Sequence, residues 1–75
     1  MNKIRRKEIA QAIELMEQAR EILEAVADEE QEAFDNLPEN IRNSERGETM
    51  EQYIGMLEEA VENLDTDELQ EIADG

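Results

Sequence analysis

The sequence predicts an all-α protein: an antiparallel helical hairpin with a short C-terminal helical segment, dimerising into a four-helix bundle. Three observations lead there. The stretch from Asn2 to Asp35 has no proline or glycine and carries apolar residues at helical spacing, Pro38 interrupts the chain once, and a second apolar seam follows it.

The first helix is expected over residues 3–35, where good helix formers dominate. At 100° per residue, Ile4, Ile9, Ala12, Ile13, Leu15, Met16, Ala19, Ile22, Leu23, Val26, Ala27, Ala33 and Phe34 fall within one half of the wheel. Pro38 cannot continue this helix and biases Leu37 away from helical angles, so residues 36–44 read as the connecting loop. Leu37 and Ile41 are expected to turn inward and cover the end of the bundle. Ser44 or Asn43 is placed to cap the next helix, and Glu45 suits the positive end of its dipole.

The second helix is expected over residues 45–64, with Met50, Tyr53, Ile54, Leu57, Val61 and Leu64 forming a narrow coiled-coil-like seam. Gly47 and Gly55 weaken it slightly, and Gly55 is the position expected to allow close backbone approach. Asp65 and Glu68 have capping-box spacing and Leu64 can staple to Leu69. Residues 66–73 are therefore either a separate short helix or an extension beyond a kink.

The whole chain, residues 1–75, reads as a single domain. A helix of 33 residues is about 50 Å long, and the later segments together reach a little less, which suits a hairpin. One partner helix cannot cover an apolar face about 180° wide, whereas two hairpins packed together can, hence the expected homodimer. Its core and dimer residues are Ile9, Ile13, Met16, Leu23, Val26, Phe34, Tyr53, Ile54, Leu57, Val61 and Leu64.

The formal charge is −15, from 22 acids and seven bases, and four of the bases (Lys3, Arg5, Arg6, Lys7) lie in the first seven residues. From Glu8 onward only Arg20, Arg42 and Arg46 oppose the 22 acids. Such a surface repels nucleic acid and anionic lipid and attracts basic protein surfaces. Glu8, Gln11, Glu14 and Glu17 interrupt any apolar signal-peptide core, and no stretch approaches membrane-spanning length. The expected setting is the cytoplasm of a bacterial host cell.

Catalytic chemistry finds little footing. There is no Cys or His, and the hydroxyls beyond Tyr53 are Ser44, Thr49 and Thr66, none beside a base with an orienting partner. Glu14-x-x-Glu17 and Glu32-x-x-Asp35 imitate the magnesium pattern of all-helical nucleotide pyrophosphohydrolases, but eighteen helical residues hold them about 27 Å apart. Asp65 and Asp67 open like a calcium loop, yet Gln70 stands where the turn glycine belongs. No enzyme, cofactor or metal is expected.

The feature with most content is a stripe of carboxylates: Glu14, Glu17, Glu21, Glu24, Asp28, Glu32 and Asp35, three or four residues apart and within about 80° of the wheel. Glu48, Glu51, Glu58, Glu59 and Glu62 face outward on the second helix in looser order. An ordinary solvated helix face accounts for such a stripe, but solvated faces usually interleave Lys with Glu, and here Arg20 alone stands at the margin. Tolerated self-repulsion suggests a basic partner, and the stripe imitates spaced phosphates. Lys3, Arg5, Arg6 and Lys7 are expected to pair within the hairpin with Asp65, Asp67 or Glu68.

The segment Asp35-Asn36-Leu37-Pro38-Glu39-Asn40-Ile41-Arg42-Asn43-Ser44-Glu45-Arg46-Gly47-Glu48 resembles small acidic helical proteins from phages and mobile elements of Gram-positive bacteria. Those proteins share a glutamate-rich helix before the Leu-Pro-Glu-Asn turn and an acidic amphipathic helix after it. The resemblance implies a phage-like setting, in which short acidic proteins inhibit host machinery, and carries over no functional residue. The resulting expectation is a non-enzymatic acidic module that binds a basic surface of a host nucleic-acid-binding or defence protein. It contacts neither nucleic acid nor membrane itself. The alternative is an assembly subunit acting through its apolar helical face.

Overall fold

The computed structural model describes residues 1–75 and is all-α, with no strand. Four helices follow in order: α1 (Lys3–Asp35), α2 (Glu39–Arg42), α3 (Glu45–Asn63) and α4 (Asp67–Asp74). None is long and apolar enough to cross a membrane.

At the start of α1, the Asn2 side-chain oxygen accepts from the Arg5 backbone N–H at 2.8 Å, satisfying one of the donors a helix leaves free. At its end, the Asn36 N–H donates to the Glu32 carbonyl at 3.1 Å, and the Leu37 N–H to the Phe34 carbonyl at 3.1 Å. Pro38 then acts as an initiator. It has no N–H to lose, and its carbonyl accepts from both Ile41 (2.9 Å) and Arg42 (3.0 Å), closing the single turn of α2. The segment expected as one loop over residues 36–44 thus contains a helical turn. Leu37, just before this turn, and Ile41, within it, are half-buried.

Ser44 occupies the N-cap position of α3, but its hydroxyl donates backward to the Ile41 carbonyl and leaves the α3 amides uncapped. The expected side-chain cap is therefore replaced by a bond that closes the α2–α3 corner. The glycine expectation also changes. A Cβ on Gly55 meets nothing within 4 Å, so no backbone approaches it, whereas a Cβ on Gly47 would collide with the Arg42 carbonyl and lie 2.7 Å from Arg42 Cα. Close approach is needed where α2 turns into α3, and Gly47 is buried there.

α3 ends with the Leu64 N–H on the Val61 carbonyl at 3.2 Å, and α4 is a separate helix. Asp65 does cap, one step earlier than the box requires: its carboxylate accepts from the Asp67 N–H at 3.0 Å, an Asx turn, while Thr66 holds the N-cap position without a side-chain bond.

Both α3 and α4 pack on α1, and α2 packs on α3. Phe34 shares a cleft with Ile54, and Ala27 shares another with Val61, so α3 runs antiparallel to α1. On α1, Ile9, Ile13, Met16, Leu23, Ala27 and Phe34 are buried or half-buried and recur at heptad spacing. Opposite them, Met50, Ile54, Leu57, Val61 and Leu64 do the same. Only Ile13, Ala27, Ile54 and Gly47 are buried, and no large side chain is completely so. Val26 and Tyr53, expected among the core or dimer residues, are 42% and 57% exposed and do not belong to this seam.

Gly47→Ala is expected to lower stability by about 1–3 kcal/mol, the cost of forcing atoms into a packed site. Gly55→Ala should raise it by about 0.5–1 kcal/mol through helix propensity. Urea midpoints moving in opposite directions would establish this contrast, and a Gly47→Ala midpoint at or above the wild-type value would contradict it.

Candidate acidic face

The seven stripe residues, Glu14, Glu17, Glu21, Glu24, Asp28, Glu32 and Asp35, all lie on α1 and are all exposed. Their phase is turned by roughly 100° from the buried seam, because a seam repeating at i, i+3, i+4 leaves its flanks at adjacent wheel positions. Helical geometry spaces them about 5 Å apart along the axis.

Packing adds a second row that the sequence reading treated as separate. Glu24 and Asp28 line one shallow cleft with Glu58 of α3, above Ala27 and Val61. Gln31 lines the next with Glu51 and Glu58, above Phe34, Ile54 and Gly55. Toward the α2 corner, Glu39, Glu48 and Glu51 surround a third with Phe34, Arg42 and Asn43. Glu51 and Glu58 thus stand across a groove from the stripe, while Glu59 and Glu62 are exposed elsewhere on α3. The antiparallel pairing of α1 and α3 brings the acidic flanks of both helices to one side.

Compensation on this side is slight. Arg20 bonds Glu24 at 3.2 Å, the single ion pair of the molecule, and both side chains are about half exposed, so the pair contributes little. Gln31 donates to Asp35 at 3.0 Å. Glu14, Glu17, Glu21, Asp28 and Glu32 make no side-chain bond. The expected pairing of the basic N-terminus with Asp65, Asp67 or Glu68 is absent: no carboxylate lies within 4.0 Å of Lys3, Arg5, Arg6 or Lys7. α4 does pack on α1, but its acids face outward, and Arg6 buries its Nε without a partner.

The charge order along α1 also opposes its dipole. Its first turn holds no acid and its last turn no base, while Lys3, Arg5 and Arg6 crowd the positive end and Glu32 and Asp35 the negative end. No group of three acids is arranged to hold a metal ion. What the face offers chemically is an array of hydrogen-bond acceptors and negative charge, suited to guanidinium and ammonium groups.

Uncompensated charge of one sign should make stability depend on screening. Raising NaCl from about 0.01 M to about 1 M shortens the Debye length from roughly 30 Å to 3 Å, and Tm is expected to rise. A Tm that falls across this range would mean that attractive pairs outweigh the repulsion.

No family model matches the chain, and no curated protein or solved structure matches it either.

Proposed function

We propose that the protein is a non-enzymatic, acidic binding module, a helical hairpin whose carboxylate face occupies a basic surface on another protein. The most specific form of this reading is a phage-type inhibitor acting in the cytoplasm of a bacterial host. It would block a nucleic-acid-binding or defence protein by filling the groove that normally receives phosphates, with no turnover.

One observation carries the reading: Glu14, Glu17, Glu21, Glu24, Asp28, Glu32 and Asp35 form a continuous exposed row that is almost free of counter-charge and is flanked across a groove by Glu51 and Glu58. The row places a charge about every 5 Å, against about 3.4 Å along the axis for one DNA strand. The second row narrows the difference. A protein groove lined with Lys and Arg gains from such an array as it does from phosphates, by direct charge-assisted hydrogen bonds and by release of its bound ions.

Replacing Glu21, Glu24 and Asp28 with Lys tests the reading, since all three are exposed and bear on the fold only through the Arg20–Glu24 pair. In pull-downs from host lysate, wild type is expected to capture a basic, nucleic-acid-binding protein in a salt-sensitive manner. The variant should lose that capture while its helical circular dichroism is kept. Equal, salt-insensitive capture by the folded variant would contradict the proposal and move function to the apolar side. That second reading, an assembly subunit, draws on the exposure of Leu15, Ile22, Val26, Tyr53 and Met56.

A further inference from the structure

The side of the molecule opposite the acidic groove carries an apolar strip that nothing covers. On α1, Ala12, Leu15, Ala19, Ile22, Val26 and Ala33 recur at heptad spacing, all exposed, with Leu15 at 58% and Ile22 at 64%. Ile4, 71% exposed, continues the strip at the start of the helix, beyond Glu8, an exposed acid at the same phase. On α3, Tyr53 continues it: Ala33 and Tyr53 line one cleft with Thr49 and Met50, edged by Glu30, Glu45 and Arg46, so the two helices turn Ala33 and Tyr53 to one side, and Met56, 63% exposed, lies one turn beyond Tyr53. α1 therefore carries two apolar seams about 100° apart, one filled by α3 and α4 and one open.

The exposed area leaves room for a partner. The chain exposes 5965 Å², whereas a compact protein of its mass, 8.7 kDa, exposes about 4,700 Å². The excess, about 1,200 Å², is more than the roughly 800 Å² each partner buries in a standard stable interface. The shape agrees: the radius of gyration is 17.5 Å, against about 11 Å for a compact domain of this length.

Charge shows what that partner is. The first seven residues hold four cations and no acid, and none of these cations has an ion-pair partner. The opposite end of the molecule, residues 28–48, holds eight acids against Arg42 and Arg46. α4 packs on α1 with acids of its own, so the contrast that matters is the local one beside the strip, and there a second copy lying antiparallel complements the first. Arg5 and Lys7 flank the open strip at one end of α1, and Glu29 and Glu30 flank it at the other. A second copy related by an axis along the helices would instead set the two acidic ends side by side, where like charges repel. The acidic groove lies on the far side in either case, so it need not be buried between copies.

We propose that the open strip seats a second copy of this chain, with the two α1 helices antiparallel and the basic start of each beside the acidic end of the other. The result is a four-helix bundle of two copies with an acidic groove on each outer side. This goes beyond a general expectation of dimerisation by naming the face and the sense, and it does not depend on what binds the acids.

The chain has no cysteine, so site-directed disulfides report the arrangement cleanly. Ile4→Cys and Ala33→Cys lie on the strip at opposite ends of α1, both at exposed positions where the fold of the single chain is undisturbed. After mild oxidation, a mixture of the two full-length variants is expected to give a covalent heterodimer, while neither variant alone links efficiently. Self-linking of each variant alone would overturn the proposal in favour of a parallel pair. A mixture that links no more than its components, with a solution mass of one chain, would overturn dimerisation through this strip altogether. The charge argument has its own readout: Arg5→Glu with Lys7→Glu should raise the dimer Kd about tenfold. Mixing that variant with one carrying Glu29→Lys and Glu30→Lys should restore association, and failure to restore it would contradict the antiparallel charge pairing.

Discussion

The seam between α1 and the helices that fold back along it is the contact on which the remaining architecture depends. Ile9, Ile13, Met16, Leu23, Ala27 and Phe34 on one side meet Met50, Ile54, Leu57, Val61 and Leu64 on the other, with the C-terminal helix beyond them. None of these side chains is fully buried, because two helices form a line of contact and not an enclosed core. Such a line removes only part of each side chain from water, and hydrophobic stabilisation scales with the area removed. The seam also fixes rotation. Once Ile13, Ala27 and Ile54 are turned inward, every other position on α1 and α3 is assigned to one flank or the other.

From that rotation the two faces follow. On α1, acids occupy one flank of the seam and small or branched apolar residues the other; α3 repeats the division with Glu51 and Glu58 against Tyr53 and Met56. Antiparallel helices facing each other bring flanks of the same kind together. A slab with a charged side and an oily side is the outcome, 58 Å long and 14 by 12 Å across. The charged side suits a basic protein surface, and the oily side suits another apolar helical face. The proposed acidic binding and the proposed pairing of two copies use opposite surfaces, so neither blocks the other.

Much of this was legible in the residues. Helical periodicity from Ile4 to Phe34 and the block at Pro38 yield α1, and the three-and-four spacing of Glu14 through Asp35 places every stripe residue in solvent. Other features were hidden because they depend on a neighbour that sequence spacing does not name. An apolar half-wheel does not reveal which third of it a single partner helix covers, so Val26 and Tyr53 could not be separated from Leu23 and Ile54. Gly47 and Gly55 look equivalent until the Arg42 carbonyl arrives beside one of them. Ser44 reads as a cap, but a carbonyl of the preceding turn competes for its hydroxyl. The basic N-terminus reads as a partner for the acids of the C-terminal segment, yet adjacency of two elements does not bring their charged ends together. The second acidic row had a signal, since Glu51 and Glu58 recur seven residues apart, but its side became visible only with the antiparallel pairing.

The proposed dimer joins two copies through one side and leaves the other side of each free. Small-angle X-ray scattering with an absolute mass scale, read at about 100 μM protein, examines this most directly. The proposed dimer should show a mass of twice 8.7 kDa in a particle whose longest dimension stays near the 58 Å of the single chain while its cross-section doubles. A mass of one chain, or a dimer stretched to nearly twice that length by end-to-end contact, would contradict it.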